Sequence, residues 1–314
     1  MRLLLTGSSG FLGRNFLLNA PSQPDIFGTY FSSRDFLSFV RKQRINNFIP
    51  LKCNLTNFQD VKKMSKRTGT HFDVILYLSG HVNPADSVFN PLFDLDSNVK
   101  ALMNVLENFS CKKFIFFSSG AVYDGLKGYV SPRSFISPTL PYAISKLTAE
   151  NYVKFYHSKR KSLENYIILR FFGAYGPYEP PRKIYTKLVK TFAIEKKKEF
   201  IVFGNGKNYI DAMYIDDAIS GIQKVVNKKV QKSVTVDFGT GSPKTIDRLV
   251  RETARIFKIK RPKIKHIGTT AEYISFYISN NQMQRLFSFK PTVNLEDGLF
   301  KLYQHLKIKQ GCKC

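Results

Sequence analysis

The sequence predicts an α/β fold, a doubly wound parallel sheet followed by a smaller C-terminal domain. Three observations carry that reading. The apolar run Leu3-Leu4-Leu5 leads directly into a glycine turn, Thr6-Gly7-Ser8-Ser9-Gly10-Phe11-Leu12-Gly13, that opens a helix. Later apolar runs of strand length, Phe72 to Leu78 and Lys113 to Phe117, are separated by a segment with helical spacing, the order of a sheet built from strand–helix–strand units. At 314 residues with 43% hydrophobic content and 28 Phe, the chain has room for two domains and can build a large core without metals or disulfides.

In order, strand one is Arg2 to Thr6 and its helix Phe11 to Ala20, closed off by Pro21 and Pro24. Strand two runs from Asp25 to Phe31, strand three from Phe48 to Cys53, and Gln59 to Arg67 is a surface helix with polar outer positions. Strand four, Phe72 to Leu78, delivers the loop Ser79-Gly80-His81. The helix from about Asn98 to Phe109 turns Leu102, Val105, Leu106 and Phe109 to the core. Strand five ends in the hydroxyls Ser118 and Ser119. After Arg170, Pro177, Pro180 and Pro181 mark a loop, with Arg182, Lys183 and Lys187 at the start of the next helix. Tyr214 to Asp217 reads as a return strand and helix cap, Val234 to Phe238 as another strand, and Thr245 to Phe257 as an amphipathic helix. The division expected is residues 1–170 for the first domain and 171–314 mainly for the second, with part of the chain returning to the first.

The chemistry sits in three places. In the glycine turn, Gly7 permits a tight turn, Gly10 lets a pyrophosphate approach the backbone N–H groups at the helix N-terminus, and Gly13 lets helix pack closely on strand. Tyr142-Ala143-Ile144-Ser145-Lys146 places a phenol and an ammonium one turn apart on one helical face. An adjacent ammonium favours phenolate, so the phenol can exchange a proton with an alcohol near neutral pH. Ser119, at the carboxyl end of a strand, can face the crevice where open α/β sheets bind ligands.

These stretches resemble the extended short-chain dehydrogenase/reductase family, and within it the nucleotide-sugar epimerases, reductases and dehydratases. The likeness runs on through Asn98-Val99, Leu169 to Pro177, Tyr214 to Ala218 and Leu295 to Leu299. It implies a Rossmann dinucleotide-binding domain with a smaller substrate-binding domain. It also implies catalytic roles for Ser119, which hydrogen-bonds the reacting sugar oxygen, Tyr142, the acid/base, and Lys146, which tunes Tyr142 and holds the nicotinamide ribose; Ser118 is the fallback for Ser119. The cofactor would lie against Gly7, Gly10, Phe11, Leu12 and Gly13, with Asn54 and Leu55 about the adenine and Ser79 and Gly80 nearby. His81, Ser119, Arg182 and Lys183 are the substrate-side candidates, the two cations for a diphosphate. Strand two ends Phe31-Ser32-Ser33-Arg34 with no acid before Asp35, which favours NADP held by Ser32, Ser33 and Arg34; in the alternative, Asp35 or a backbone group discriminates.

Departures from the family pattern narrow the reaction. Gly120-Ala121 stands where the 4,6-dehydratases have an Asp-Glu pair and the decarboxylases a Glu, which leaves reversible oxidation or reduction, most simply at sugar C4. Gly173 replaces an Asn that often contacts the sugar diphosphate, and Ile210 a phosphate-binding Arg. The reading is NAD(P)-dependent hydride transfer at C4 of a nucleotide-diphosphate sugar, a 4-keto-sugar reductase ahead of a 4-epimerase with tightly held NAD. A non-catalytic basic binding protein on the same fold is the alternative from another class.

With 49 Lys plus Arg against 23 Asp plus Glu, the net charge of +26 would attract any polyanion. The cations are dispersed, with short clusters at Lys159-Arg160-Lys161, Lys196-Lys197-Lys198 and Lys258 to Lys265, and no aromatic RNA motif accompanies them. A solvated surface is therefore preferred to a nucleic-acid site. Cys53, Cys111, Cys312 and Cys314 lack zinc spacing and fit a reducing cytoplasm. No metal site or membrane span is expected, Cys312-Lys313-Cys314 reads as a frayed terminus, and a helix-paired homodimer is what the resemblance implies.

Overall fold

The computed structural model describes residues 1–20, 25–269, 274–279 and 281–311. Pro21, Pro24 and Cys312-Lys313-Cys314 lie outside them.

The backbone of the molecule is a seven-stranded sheet: β1 (Arg2–Thr6), β2 (Asp25–Tyr30), β3 (Phe48–Lys52), β4 (His71–Tyr77), β5 (Ser110–Ser119), β6 (Leu163–Phe171) and β7 (Val234–Phe238). Its order is β3-β2-β1-β4-β5-β6-β7, and every pair is parallel. Side chains alternate across a strand, so a sheet covered on both faces needs unbroken apolar runs. Leu3 and Leu5 face one core with Leu76, Ile115 and Leu169, while Leu4 between them faces the other with Ile75, Phe114 and Ile168. The strand order reverses between β1 and β4, and ligand crevices in such sheets open at the carboxyl ends there.

The helices are α1 (Phe11–Leu18), α2 (Phe36–Lys42), α3 (Phe58–Thr68), α4 (Pro84–Phe89), α5 (Pro91–Leu95), α6 (Ala101–Asn108) and α7 (Pro141–Phe155). Asn57 caps α3 by accepting from Gln59 N and Asp60 N at 2.9 and 3.2 Å. One expectation is corrected here. The helix placed from Asn98 begins at Pro91, whose fixed φ suits a first turn, and passes through a π-helical turn, Asp96–Lys100, before α6. Ala101 N–H reaches back to Asp96 O, the bond of that wider turn, which is found often at functional sites. Asn98 lies inside it.

β7 pairs with β6 in the sheet and the helix Ile215–Asn227 precedes it, while the boundary placed after residue 170 falls within β6. The core around Leu3 and Leu5 runs on through Leu188, Ile219, Phe238 and Leu302, so later residues share it. Asp217 fastens the C-terminal segment, accepting from Thr292 N at 3.0 Å and Val293 N at 2.9 Å. The amphipathic helix is Ile246–Ile256, with Thr245 as its N-cap.

Candidate active site

The glycine turn after β1 forms at the reversal point. Gly7 has φ +70°, and Gly10 N–H closes the turn on Gly7 O at 3.0 Å. A Cβ on Gly13 would collide with Gly7 O and lie 2.6 Å from Ser8 Cα, so any larger residue would push α1 off the turn. Gly10, the N-cap of α1, offers no side-chain bond, and the first turn carries no acid, which leaves its N–H groups and positive dipole end to an anion. Thr6 Oγ1 accepts from Leu78 N and Ser79 N, both at 3.1 Å, locking the loop after β4 to the turn. These features fit a dinucleotide pyrophosphate.

At the end of β2 the expected cation cradle is absent among the described residues. Ser32 and Arg34 are exposed, and Ser33 Oγ donates to Asp35 Oδ1 at 2.8 Å. Arg14 also binds that oxygen, at 2.8 Å, while its guanidinium lies 4.7 Å from the centre of the Phe39 ring. Arg14 and Ser33 together hold the Asp35 carboxyl below the usual carboxylate range. Its Oδ2 is bonded to neither of them. Beyond β3 a pocket of about 250 Å³ is lined by Phe31, Leu51, Cys53, Asn54 and Met64. Asn54 Oδ1 accepts from Thr56 N and Oγ1 at 3.1 and 2.9 Å, and Leu55 turns into the core.

The end of β5 separates the two serines. Ser118 Oγ donates to Glu150 Oε1 at 2.6 Å and is buried; Ser119 is half-buried and its Oγ accepts from Ala121 N at 3.1 Å. Successive strand residues face opposite sides, and of the two Ser119 is the one not turned into the buried Glu150 and Arg170 pair. Tyr142 packs on Ala121 in the turn just after Ser119, and its backbone N–H donates to Ser87 Oγ at 3.1 Å. Lys146 Nζ lies 6.0 Å from the Tyr142 ring centre and donates to Phe117 O at 3.0 Å. Burial pushes the Lys146 ammonium down to about 8, while Asp94 and then Glu150 pull it back up. Glu150, one further turn along α7, is committed to Arg170 through bonds of 3.0 and 2.8 Å. The structure thus brings Ser119, Tyr142 and Lys146 to one end of the sheet.

On the substrate side, His81 is held at both ring nitrogens: Nδ1 lies 2.9 Å from Asp94 Oδ1 and Nε2 3.0 Å from Asp86 Oδ2. Arg182 is exposed and approaches Val82 O at 3.4 Å, so its loop adjoins the His81 loop; Lys183 leads into the short helix Ile184–Leu188. Half-buried Glu179 accepts from Thr186 and stands close to both cations, all of which lower its carboxyl, but burial dominates and raises it to about 7. Sequence reasoning gave no role to Asp94, Asn98, Glu150 or Arg14. The family match at Asn98-Val99 was the only available signal for Asn98; a lone Asp among Leu92, Phe93 and Leu95 gave none. No group of three or more His, Cys, Asp or Glu side chains among the described residues is placed to hold a metal ion, and no described helix is long and apolar enough to cross a membrane.

A dinucleotide fold with a Ser, Tyr and Lys at the end of its central strands defines a short-chain-type oxidoreductase fold. The chain belongs to the NAD dependent epimerase/dehydratase family, whose model matches residues 3–238. It is similar to an uncharacterized UDP-glucose epimerase, YtcB, of Bacillus subtilis, at 27% identity over 95% of this chain and 96% of that one. A putative UDP-glucose 4-epimerase of Methanocaldococcus jannaschii is 26% identical over 97% and 98% of the two chains. Among solved structures, a UDP-glucuronic acid 4-epimerase from Bacillus cereus, in complex with UDP-glucuronic acid and NAD, superposes with a TM-score of 0.83 at 24% identity, covering 98% of this chain and all of that one. The Thermotoga maritima UDP-glucose 4-epimerase gives 0.84 at 20% identity over 99% and 100%. At these identities the solved structures show the fold alone.

Proposed function

We propose that this chain is an NAD-dependent 4-epimerase of a nucleotide-diphosphate sugar, with UDP as the nucleotide. The observation that carries the reading is the placement of buried Lys146 beside Tyr142 on α7, at the end of the strand that presents Ser119. The 4-epimerase, placed second to a reductase on sequence grounds, is the reading that the two curated relatives support. At the end of β2, Asp35 Oδ2 is available to accept from a ribose 2′-hydroxyl, and its negative charge opposes a 2′-phosphate, so NAD is preferred to NADP.

Bound NAD would supply a reversible hydride acceptor. Tyr142 would take the proton of the C4 hydroxyl as the C4–H bond breaks, and Ser119 would hold that oxygen. Lys146 favours the phenolate that accepts the proton and would hold the ribose. Once the keto sugar has turned over, Tyr142 would return the proton to the C4 oxygen as C4 is reduced on its other face. Asn54, Ser79 and Gly80 border the cofactor crevice in this reading, and Arg182 and Lys183 face the diphosphate. The apolar faces of α4, α5 and α7, where Phe89, Leu92 and Phe93 are exposed along with Ile144, would pair with a second copy.

The test is incubation with UDP-glucose, UDP-galactose, UDP-glucuronic acid and UDP-N-acetylglucosamine without added reductant, reading C4 configuration by proton NMR. Inversion of one of them is expected, with a fall of about 10²- to 10⁴-fold for Tyr142→Phe. Consumption of NADPH by a 4-keto sugar, with no inversion, would contradict it.

A further inference from the structure

The loop after β4 and the helix run from α4 to α6 hold a buried polar chain that the proposed reaction does not use. Asp94, on α5, is fully buried. Its Oδ1 accepts from His81 Nδ1 at 2.9 Å and from Asn98 Nδ2 at 2.9 Å. Its Oδ2 finds no partner among the described residues, and neither does Asn98 Oδ1. Exposure rises outward along the chain, from 0% for the Asp94 side chain to 13% for His81 and 38% for Asp86.

The inner end of this chain meets the catalytic lysine. Gly80 has φ +150°, and a Cβ there would collide with Asn98 Oδ1 and lie 3.4 Å from Lys146 Nζ. Asn98 and Lys146 therefore converge on one point, which only glycine leaves open. Among the described residues the groups facing Lys146 are few. On α7 they are Tyr142 and Glu150; on α5, Asp94; from β5 come only the Phe117 carbonyl and the Phe116 ring, 5.2 Å from Nζ. His81 lies behind Asp94. Glu150 is paired bidentately with Arg170, which offsets its charge. Asp94 is bonded to an imidazole and an amide rather than to a guanidinium.

We propose that Asp94 is a positioning residue for Lys146, the buried counter-charge to its ammonium across the Gly80 turn, and that His81 with Asn98 anchors Asp94 in place. This inference rests on the proposed role of Tyr142 and Lys146. A buried ammonium is costly without a compensating charge, and Asp94 is joined to the point where Asn98 and Lys146 converge through its bond from Asn98 Nδ2. His81 serves as anchor by donating Nδ1–H to Asp94, with Asp86 at its other nitrogen.

The substitution Asp94→Asn can be accommodated, because its oxygen can keep both accepted bonds while its NH2 takes the place of the unpartnered Oδ2. The experiment measures kcat against pH, together with the pH dependence of NADH binding by fluorescence. In Asp94→Asn the alkaline break of both profiles should move to lower pH by about one unit or more. His81→Gln keeps a donor to Asp94 but carries no charge, so its break should stay at or above the wild-type pH. A purely structural role would not move the two variants apart. Coincident breaks in all three proteins, or a downward shift in His81→Gln, would overturn the proposal. Should the wild type invert no sugar, the proposed function fails, and the NADH-binding profiles alone decide the role of Asp94 in the same way. If Asp94→Asn does not fold, the direction of the His81→Gln shift is decisive.

Discussion

Each ionisable side chain at the site is set by what buries it and what pairs with it. Lys146 would be a poor cation in an apolar core, yet Asp94 and Glu150 oppose its loss of charge. At Glu179 burial outweighs the bond from Thr186 and the nearby cations, and its carboxyl, ordinarily at 4.5, is raised to about 7. It binds its proton more tightly folded than unfolded. Its contribution to stability is therefore complete below about pH 4.5 and is lost as pH rises through about 7. The thermal midpoint of Glu179→Gln should accordingly fall less between pH 5 and pH 8 than that of the wild type, since the amide oxygen still accepts from Thr186 Oγ1. Parallel midpoints in a thermal scan would show that Glu179 is not the group responsible. Tyr142 and Lys146 were legible because a four-residue offset fixes a shared face whatever surrounds the helix. Asp94 was not, because its role depends on His81 and Lys146, which the chain brings to it from 13 and 52 positions away only on folding.

At the scale of elements, α4 and α5 show why local pattern misleads. Hydropathy would bury Phe89, Leu92 and Phe93 and expose Asp94, yet the three apolar residues are 83%, 78% and 59% exposed and the Asp is buried. The inverted face is explained if it meets a second copy through α4, α5 and α7. Light scattering should then report a dimer for the wild type and a shift to monomer for Phe89→Asp, and a monomeric wild type at micromolar concentration would remove this account of the face. The sheet, by contrast, was readable almost strand by strand. Buried parallel strands need continuous apolar runs, and Leu3-Leu4-Leu5 and Phe114 to Phe117 can occupy no other position so well. The π-turn at Asp96–Lys100 and the early start at Pro91 left no periodic trace, because a one-residue change of turn width is smaller than the spread of the apolar stripe.

For the whole molecule, the parallel order β3-β2-β1-β4-β5-β6-β7 places the glycine turn, the Gly80 loop, Ser119 and the start of α7 at one end of the sheet, where such folds open their ligand crevice, although they lie far apart in the chain. Motif spacing gave the parts of that crevice; the cofactor preference needed the fold, since Ser33 and Arg34 looked like a phosphate cradle until Asp35 was seen to engage Ser33 and Arg14. A 4-epimerase returns its hydride within each turnover and can keep its dinucleotide, whereas a reductase must exchange it. The central claim is therefore tested most directly by denaturing the purified protein and identifying the dinucleotide it releases. Stoichiometric NAD is the predicted result. A protein that emerges empty, and that then binds NADPH in preference to NADH, would contradict it.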